Sequence, residues 1–250
     1  MSIVRERFAG QAVMERLLIE QESVRERSPL ARLFGVSPLS PNSYGWYAGA
    51  LGEIEVGERL SMLPAGWTVL HALPLNAKGS DIDHIAIGPA GVFTITTRLH
   101  RHKKVWAAGH SVLVDGQKQS HIRVSLSEAA RIERMLPTAP VRPVLALVDP
   151  ERITFGTDRP AVEVTDARRI VRWLTSQPTV LSESEVSAIV TAVEQPDVWH
   201  GISSPDHSIR ERFASLDRSI RVASSRRAIW CVAAAGIAAA MMFETVTRMV

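Results

Sequence analysis

The chain has 250 residues, of which 46% are hydrophobic, and its 29 Lys and Arg against 26 Asp and Glu give a formal net charge of +3. That apolar fraction is ordinary for a packed core and excludes disorder throughout, and the one cysteine, Cys231, excludes an internal disulfide and a cysteine-rich zinc cluster. Residues 45–200 carry 16 cationic against 17 anionic side chains and residues 201–250 carry 7 against 4, so the middle lacks the broad basic face used for gripping duplex phosphates.

The opening residues are charged and helix-patterned rather than basic and then apolar, unlike a secretory leader. We expect a helical arm and loop over residues 1–44, broken near Ser28–Pro29 and ending in a segment with Pro38 and Pro41. From Gly45 the pattern sharpens. Gly49, Glu53, Val56, Leu60 and Leu63 recur at spacings of four and three, one face of a helix. A carboxylate on that face, Glu53, is costly unless a metal, a hydrogen-bond donor or a salt bridge satisfies it, or the helix turns it to the rim.

Strands are expected at Trp67–Leu75, Asp81–Ile87 and Val92–Arg98, the last two joined by the turn Gly88-Pro89-Ala90-Gly91. By the two-residue period Asp83, Ile85 and Ile87 share one side, as do Thr94, Thr96 and Arg98. Arg98, Arg101, Lys103 and Lys104, interleaved with His100 and His102, form the one compact basic patch of this region, either a solvated hairpin or a phosphate cradle. A fourth strand is expected at Ser111–Val114. The stripe Ile122, Leu126, Ala129, Ile132 and Leu136 predicts a sheet-covering helix that Pro137 ends. Strands at Pro143–Val148 and Ala161–Val164 and helices at Ala167–Leu174 and Ser182–Glu194 complete the region. Trp173 and Leu174 read as core rather than as a base-stacking platform. The order helix, three strands, helix, strand is an α/β pattern with a mixed sheet flanked by helices.

Beyond Trp199, residues 201–227 read as a linker and a basic amphipathic helix, with Ile209, Phe213, Leu216 and Ile220 on one side and Arg210, Arg212, Arg218 and Arg221 on the rest. It suits either a surface of anionic lipid or a coiled-coil seam. Ala228–Phe243 is a run of sixteen residues without charge after Arg226 and Arg227. As a helix it covers roughly 24 Å against the roughly 30 Å of a hydrocarbon core. It is either a buried helix or a short membrane anchor; we expect a transmembrane helix at 228–243 with a tail at 244–250, holding a cytoplasmic domain at the inner face of the membrane.

The Gly52-Glu53 helix, Trp67-Thr68-Val69-Leu70-His71, Ile82-Asp83-His84 and the run Ile87-Gly88-Pro89-Ala90-Gly91-Val92-Phe93 resemble the nuclease-related domain (NERD) family of the restriction-endonuclease-like superfamily. The resemblance covers residues 45–200 and implies a restriction-endonuclease-like core. It implies that Glu53 and Asp83 are metal-binding acids, that Thr96 stands at the third-strand acidic or amide position, and that Arg98 replaces the catalytic lysine. Mg²⁺ is the implied cofactor, although a neutral hydroxyl is a poor ligand for a hard cation. Arginine cannot serve as a base in practice but can still hold a phosphate. The expected function is therefore binding of DNA, another nucleic acid or phosphate by Arg98, Arg101, Lys103 and Lys104, with weak or no hydrolysis. Two alternatives are an active Mg²⁺-dependent deoxyribonuclease whose lysine has migrated to Lys103 or Lys104, and a non-catalytic interaction scaffold. His100 and His102 with Asp83 would make a rearranged metal site. No Gly-rich nucleotide loop, nucleophile elbow or Cys/His cluster is present.

Overall fold

The computed structural model describes residues 2–76, 79–204 and 206–249, with side chains as far as Met242. Its first elements are the helices α1 (Ile3–Glu6), α2 (Gln11–Glu22), α3 (Pro29–Leu33) and α4 (Ser43–Leu60). There follow the strands β1 (Thr68–Pro74), β2 (Asp81–Gly88), β3 (Gly91–Leu99), β4 (Lys104–Ala108), β5 (Ser111–Val114) and β6 (Gln117–Gln119), then the helix α5 (His121–Met135). The strands β7 (Val141–Val148), β8 (Arg152–Phe155) and β9 (Glu163–Asp166) lead to the helices α6 (Ile170–Thr175), α7 (Glu183–Val193) and α8 (Ser208–Met249). Two compact units result, Met1–Met14 with Trp46–Asp206, and Glu15–Gly45 with His207–Val250.

The first unit is α/β, and it holds two mixed sheets where one was expected: β1-β2-β3-β7-β9 and β6-β5-β4-β8. The second sheet was hidden by its charged strand ends. Lys104 opens β4 rather than lying in a turn, and β4 alternates, with Val105 and Ala107 buried and Lys104 and Trp106 exposed. In the larger sheet β1, β2 and β3 run antiparallel, whereas β3, β7 and β9 are parallel. Helices cover both faces. Val56 and Leu60 of α4 and Ile170 and Leu174 of α6 pack with Phe93, Ile95, Val144 and Ala146. Ile132 of α5 and Val190 and Val193 of α7 pack with Ile82, Ile85 and Ile87. A third apolar cluster joins Val105, Ala107, Val112 and Val114 of the smaller sheet to Ile122 of α5 and Leu145 and Leu147 of β7. Burial of both faces explains why Pro143–Val148 of β7 reads as a nearly continuous apolar run.

In the second unit Ser28 caps α3, its Oγ accepting from the Ala31 N–H at 3.2 Å, and Pro29 occupies the first turn. Gly35, at φ +72°, lies so close to α8 that a Cβ would overlap the Ala223 carbonyl oxygen and the Arg227 nitrogen. Trp230 Nε1 donates to the Leu33 carbonyl at 3.0 Å, and Arg226 Nη1 to the Arg32 carbonyl at 2.9 Å. The amphipathic and apolar segments expected on either side of Arg227 are one continuous 42-residue helix. Ile209, Phe213 and Ala223 are buried, while Ile229, Trp230, Val232, Ile237, Met241 and Met242 are exposed, as is Cys231. Among the described residues no helix is long and apolar enough to cross a membrane, so the expected transmembrane helix at 228–243 is not supported. Its apolar run is short and rich in alanine, which gains little from leaving water. The tail expected at 244–250 lies outside the residues whose side chains are described.

Candidate metal centre

Small residues let α4 lie close to its neighbours. A Cβ at Gly52 would stand 3.3 Å from Thr97 Cγ2, and one at Gly57 would overlap the Cβ of Ala9. One residue beyond Gly52, Glu53 is 3% exposed and receives a hydrogen bond from the Gly10 backbone. Asp81 and Asp83 leave the start of β2 on the side set by the two-residue period. Glu53, Asp81 and Asp83 each bring a carboxylate oxygen to within 4.8 Å of the others. Glu53 Oε2 and Asp81 Oδ2 are buried with no hydrogen-bond partner. Two orphaned oxygens beside a third carboxylate make an oxygen-only donor set, which fits a hard divalent cation.

Pairing of β2 with β3 runs from Gly88–Gly91 to His84–Ile95. Past that point Asp83 Oδ2 accepts from the Thr97 backbone N–H at 2.6 Å and from Arg98 Nη1 at 3.4 Å, and Arg98 Nη1 also donates to the Thr97 carbonyl. Thr96 faces a carboxylate that comes from elsewhere: its hydroxyl donates to Glu128 Oε2 of α5 at 2.6 Å, and Glu128 is 5% exposed. Burial pushes all four acids up. The Asp83 and Asp81 charges add to the rise at Glu53, and the Asp83 charge takes Asp81 to about 7 and Glu128 to about 8. Asp83 itself rises less freely, because Arg98 and the Thr97 N–H favour its charged form.

The remaining expected residues are placed elsewhere. Lys103 Nζ lies 2.7 Å from Asp115 Oδ2, Lys104 Nζ 3.8 Å from Glu151 Oε1, and Arg101 Nε 3.4 Å from Asp149 Oδ2. His100 and His102 do not form a pair. His102 is in a turn at φ +58°, while His100 Nε2 lies 2.9 Å from His121 Nε2 at the start of α5. Burial and the Arg98 charge lower both of these imidazoles, His121 to about 3, so each is neutral near pH 7. A second pair, His71 and His84, joins β1 to β2 through Nδ1 atoms 2.8 Å apart. Among the described residues the Glu53, Asp81 and Asp83 group is the metal-competent cluster.

Residues 48–148 match the family model described as nuclease-related domain, NERD. The chain carries a nuclease-related domain. No curated protein and no solved structure gives a significant match. The matched stretch of this nuclease-related domain runs from the second turn of α4 to the end of β7 and contains every carboxylate of the cluster, Thr96, Arg98, His121 and Glu128.

The sequence singled out Glu53, Asp83, Thr96 and Arg98, and beside them the structure places three residues it did not single out, Asp81, Glu128 and His121. Asp81 was legible, since it lies two residues before Asp83 on the same side of a strand. Glu128 was legible as the acidic member of a helix stripe with Ser125 and Ile132, three residues after one and four before the other, all three buried. His121 gave no signal, because its partner is 21 residues away and the pairing depends on how α5 docks.

Proposed function

We propose that this nuclease-related domain binds a divalent cation and a nucleic-acid phosphodiester and hydrolyses the ester poorly. The carrying observation is the convergence of Glu53, Asp81 and Asp83 within 4.8 Å, with buried oxygens that have no partner. Such a donor set suits Mg²⁺ or Mn²⁺. When bound, a cation of this kind polarises a phosphoryl oxygen and makes its water more acidic. Asp83 is held for that role by the Thr97 N–H. Arg98, beside Asp83, has a planar fork that matches two phosphate oxygens. Glu128, fixed by the Thr96 hydroxyl, supplies a carboxylate on the side where the third strand has none.

Among the described residues the site lacks a lysine to act as base. Arginine is no base in practice, and the pairing of Lys103 with Asp115 raises that lysine further from the range in which an amine takes a proton. This favours poor hydrolysis over a migrated lysine. The test uses the full chain with Mn²⁺ titration and supercoiled plasmid. The wild type is expected to bind Mn²⁺ and Asp83→Asn to lose it. Nicking is expected to be slow in the wild type and at least about a hundredfold faster in Arg98→Lys, the low end of what base catalysis contributes. Equal Mn²⁺ binding by Asp83→Asn would overturn the metal reading, and an Arg98→Lys variant no faster than wild type would overturn the account of the missing base.

A further inference from the structure

Two adjoining cavities in the second unit have opposite character. The first, about 260 Å³, is lined by Arg27, Arg32, Arg218 and Arg226 together with Ser215 and Ser219. The second, about 490 Å³, is lined by Pro29, Leu33, Ile229 and Trp230 and shares Arg32 and Arg226 with the first. Four guanidinium groups meet there with little to neutralise them. Among the described residues their one ion pair is from Arg32 to Glu26, at 3.3 Å, and that Glu26 side chain is 93% exposed. Arg27 and Arg226 are held by backbone carbonyls, of Val36 and Arg32, which fix their positions without cancelling their charge. Burial, together with the Arg32 and Arg226 charges, lowers the pKa of Arg27, as expected of cations crowded without an anion.

An anion with several acceptor oxygens answers that arrangement, and phosphate suits guanidinium best. A free phosphate or a nucleic-acid backbone would leave the second cavity unfilled. Its apolar wall is exposed, with Leu33 at 50%, Ile229 at 67% and Trp230 at 43%. A ligand with a phosphate at one end and hydrocarbon beside it fills both. We propose that the joined cavities bind the headgroup of an anionic phospholipid, with the phosphate among Arg27, Arg32, Arg218 and Arg226 and the first acyl carbons against Leu33, Ile229 and Trp230. The contact is peripheral and needs no span. Trp230, with its indole N–H held by the Leu33 carbonyl, has the amphipathic ring that settles at a headgroup boundary. The inference does not depend on the metal centre.

The test is flotation of the full chain with vesicles of phosphatidylcholine alone or with about one-third phosphatidylglycerol. Salt-sensitive binding to the anionic vesicles alone is expected. Arg218→Gln, which removes no hydrogen bond among the described residues, is expected to weaken it about fivefold, and Arg218→Gln with Arg226→Gln about twentyfold. Arg221→Gln is the control: that arginine is on the same helix but outside the cavity, paired with Asp217 at 2.8 Å, and its loss should leave binding within about twofold. Asp83→Asn should bind vesicles like the wild type. Equal binding to neutral vesicles, no binding to anionic ones, or equal losses in Arg218→Gln and Arg221→Gln would each overturn the proposal. So would displacement from vesicles by a short single-stranded DNA that needs Arg218, which would assign the cavity to nucleic-acid phosphate.

Discussion

Thr96 sets the balance of charge in the acid site. Its hydroxyl donates to Glu128, so the third strand contributes a donor and α5 contributes the carboxylate. Four acids close together, three buried and Asp81 half-buried, favour the protonated form until a cation arrives, and this fixes the sign of the pH dependence. In the unfolded chain carboxylates ionise near pH 4, whereas folded Asp81 and Glu128 do so at about 7 and about 8. Between those values the native state holds protons that the unfolded state has lost, so stability falls as pH rises. His121 acts on the other side. Unfolded imidazole takes a proton near 6.5 but the folded ring only at about 3, so stability falls as pH drops through that window. With a chelator present, Tm should therefore be highest at about pH 4 to 5, because two carboxylates outweigh one imidazole above that, and fall towards pH 8, and saturating Mn²⁺ should reduce the alkaline fall. A Tm that rises from pH 6 to 8 in chelator would contradict this. Cation uptake should also release protons, read by calorimetry in buffers of different ionisation enthalpy. Glu128→Gln keeps an acceptor for Thr96 without the buried charge, and in chelator at pH 8 it should stabilise the fold by about 1–3 kcal/mol.

At the scale of elements, the β2–β3 hairpin holds the site in register. Its turn was legible because Gly88-Pro89-Ala90-Gly91 admits few conformations: Gly91 is at φ +119°, and a Cβ at Gly88 would overlap the Trp67 ring. Gly88→Ala should then cost about 1–3 kcal/mol, seen as a lower urea midpoint. By contrast Gly45→Ala, in α4 with nothing within 4 Å of its Cβ, should be neutral or stabilise by up to about 1 kcal/mol. The same contrast shows what the sequence could carry. Alternation aimed Asp83, Thr96 and Arg98 together, and the four-and-three spacing put Glu53 on a buried face, because both signals are local. The second sheet was missed because β4 and β8 are short, open with Lys104 and Arg152, and pair with each other in parallel across a gap of 48 residues, which no local pattern records. The Glu128 and His121 contacts belong to the same class, set by docking rather than by period.

For the whole molecule the distribution of charge limits any nucleic-acid contact. Residues 45–200 have no net cationic excess, and Arg101, Lys103 and Lys104 each lie within 3.8 Å of a carboxylate. Few phosphates can then be neutralised at full value. If Arg98 is the main phosphate contact, the logarithm of DNA affinity should fall with the logarithm of salt concentration at a slope of about −1 to −2, compared with about −0.9 for each phosphate engaged. A slope steeper than about −5 would mean that a basic face outside the site carries the binding. The apolar run at 228–243 misled the sequence reading for a physical reason, since hydropathy alone does not distinguish a span from an exposed stretch of a long helix. Cys231 gives that stretch one further use. It is the chain's one thiol, exposed, next to Trp230. A maleimide dye can therefore be attached at a single known position without engineering. Its emission colour would report the polarity met by that turn of α8, and under mild oxidation any covalent pair of chains would be joined through residue 231 alone.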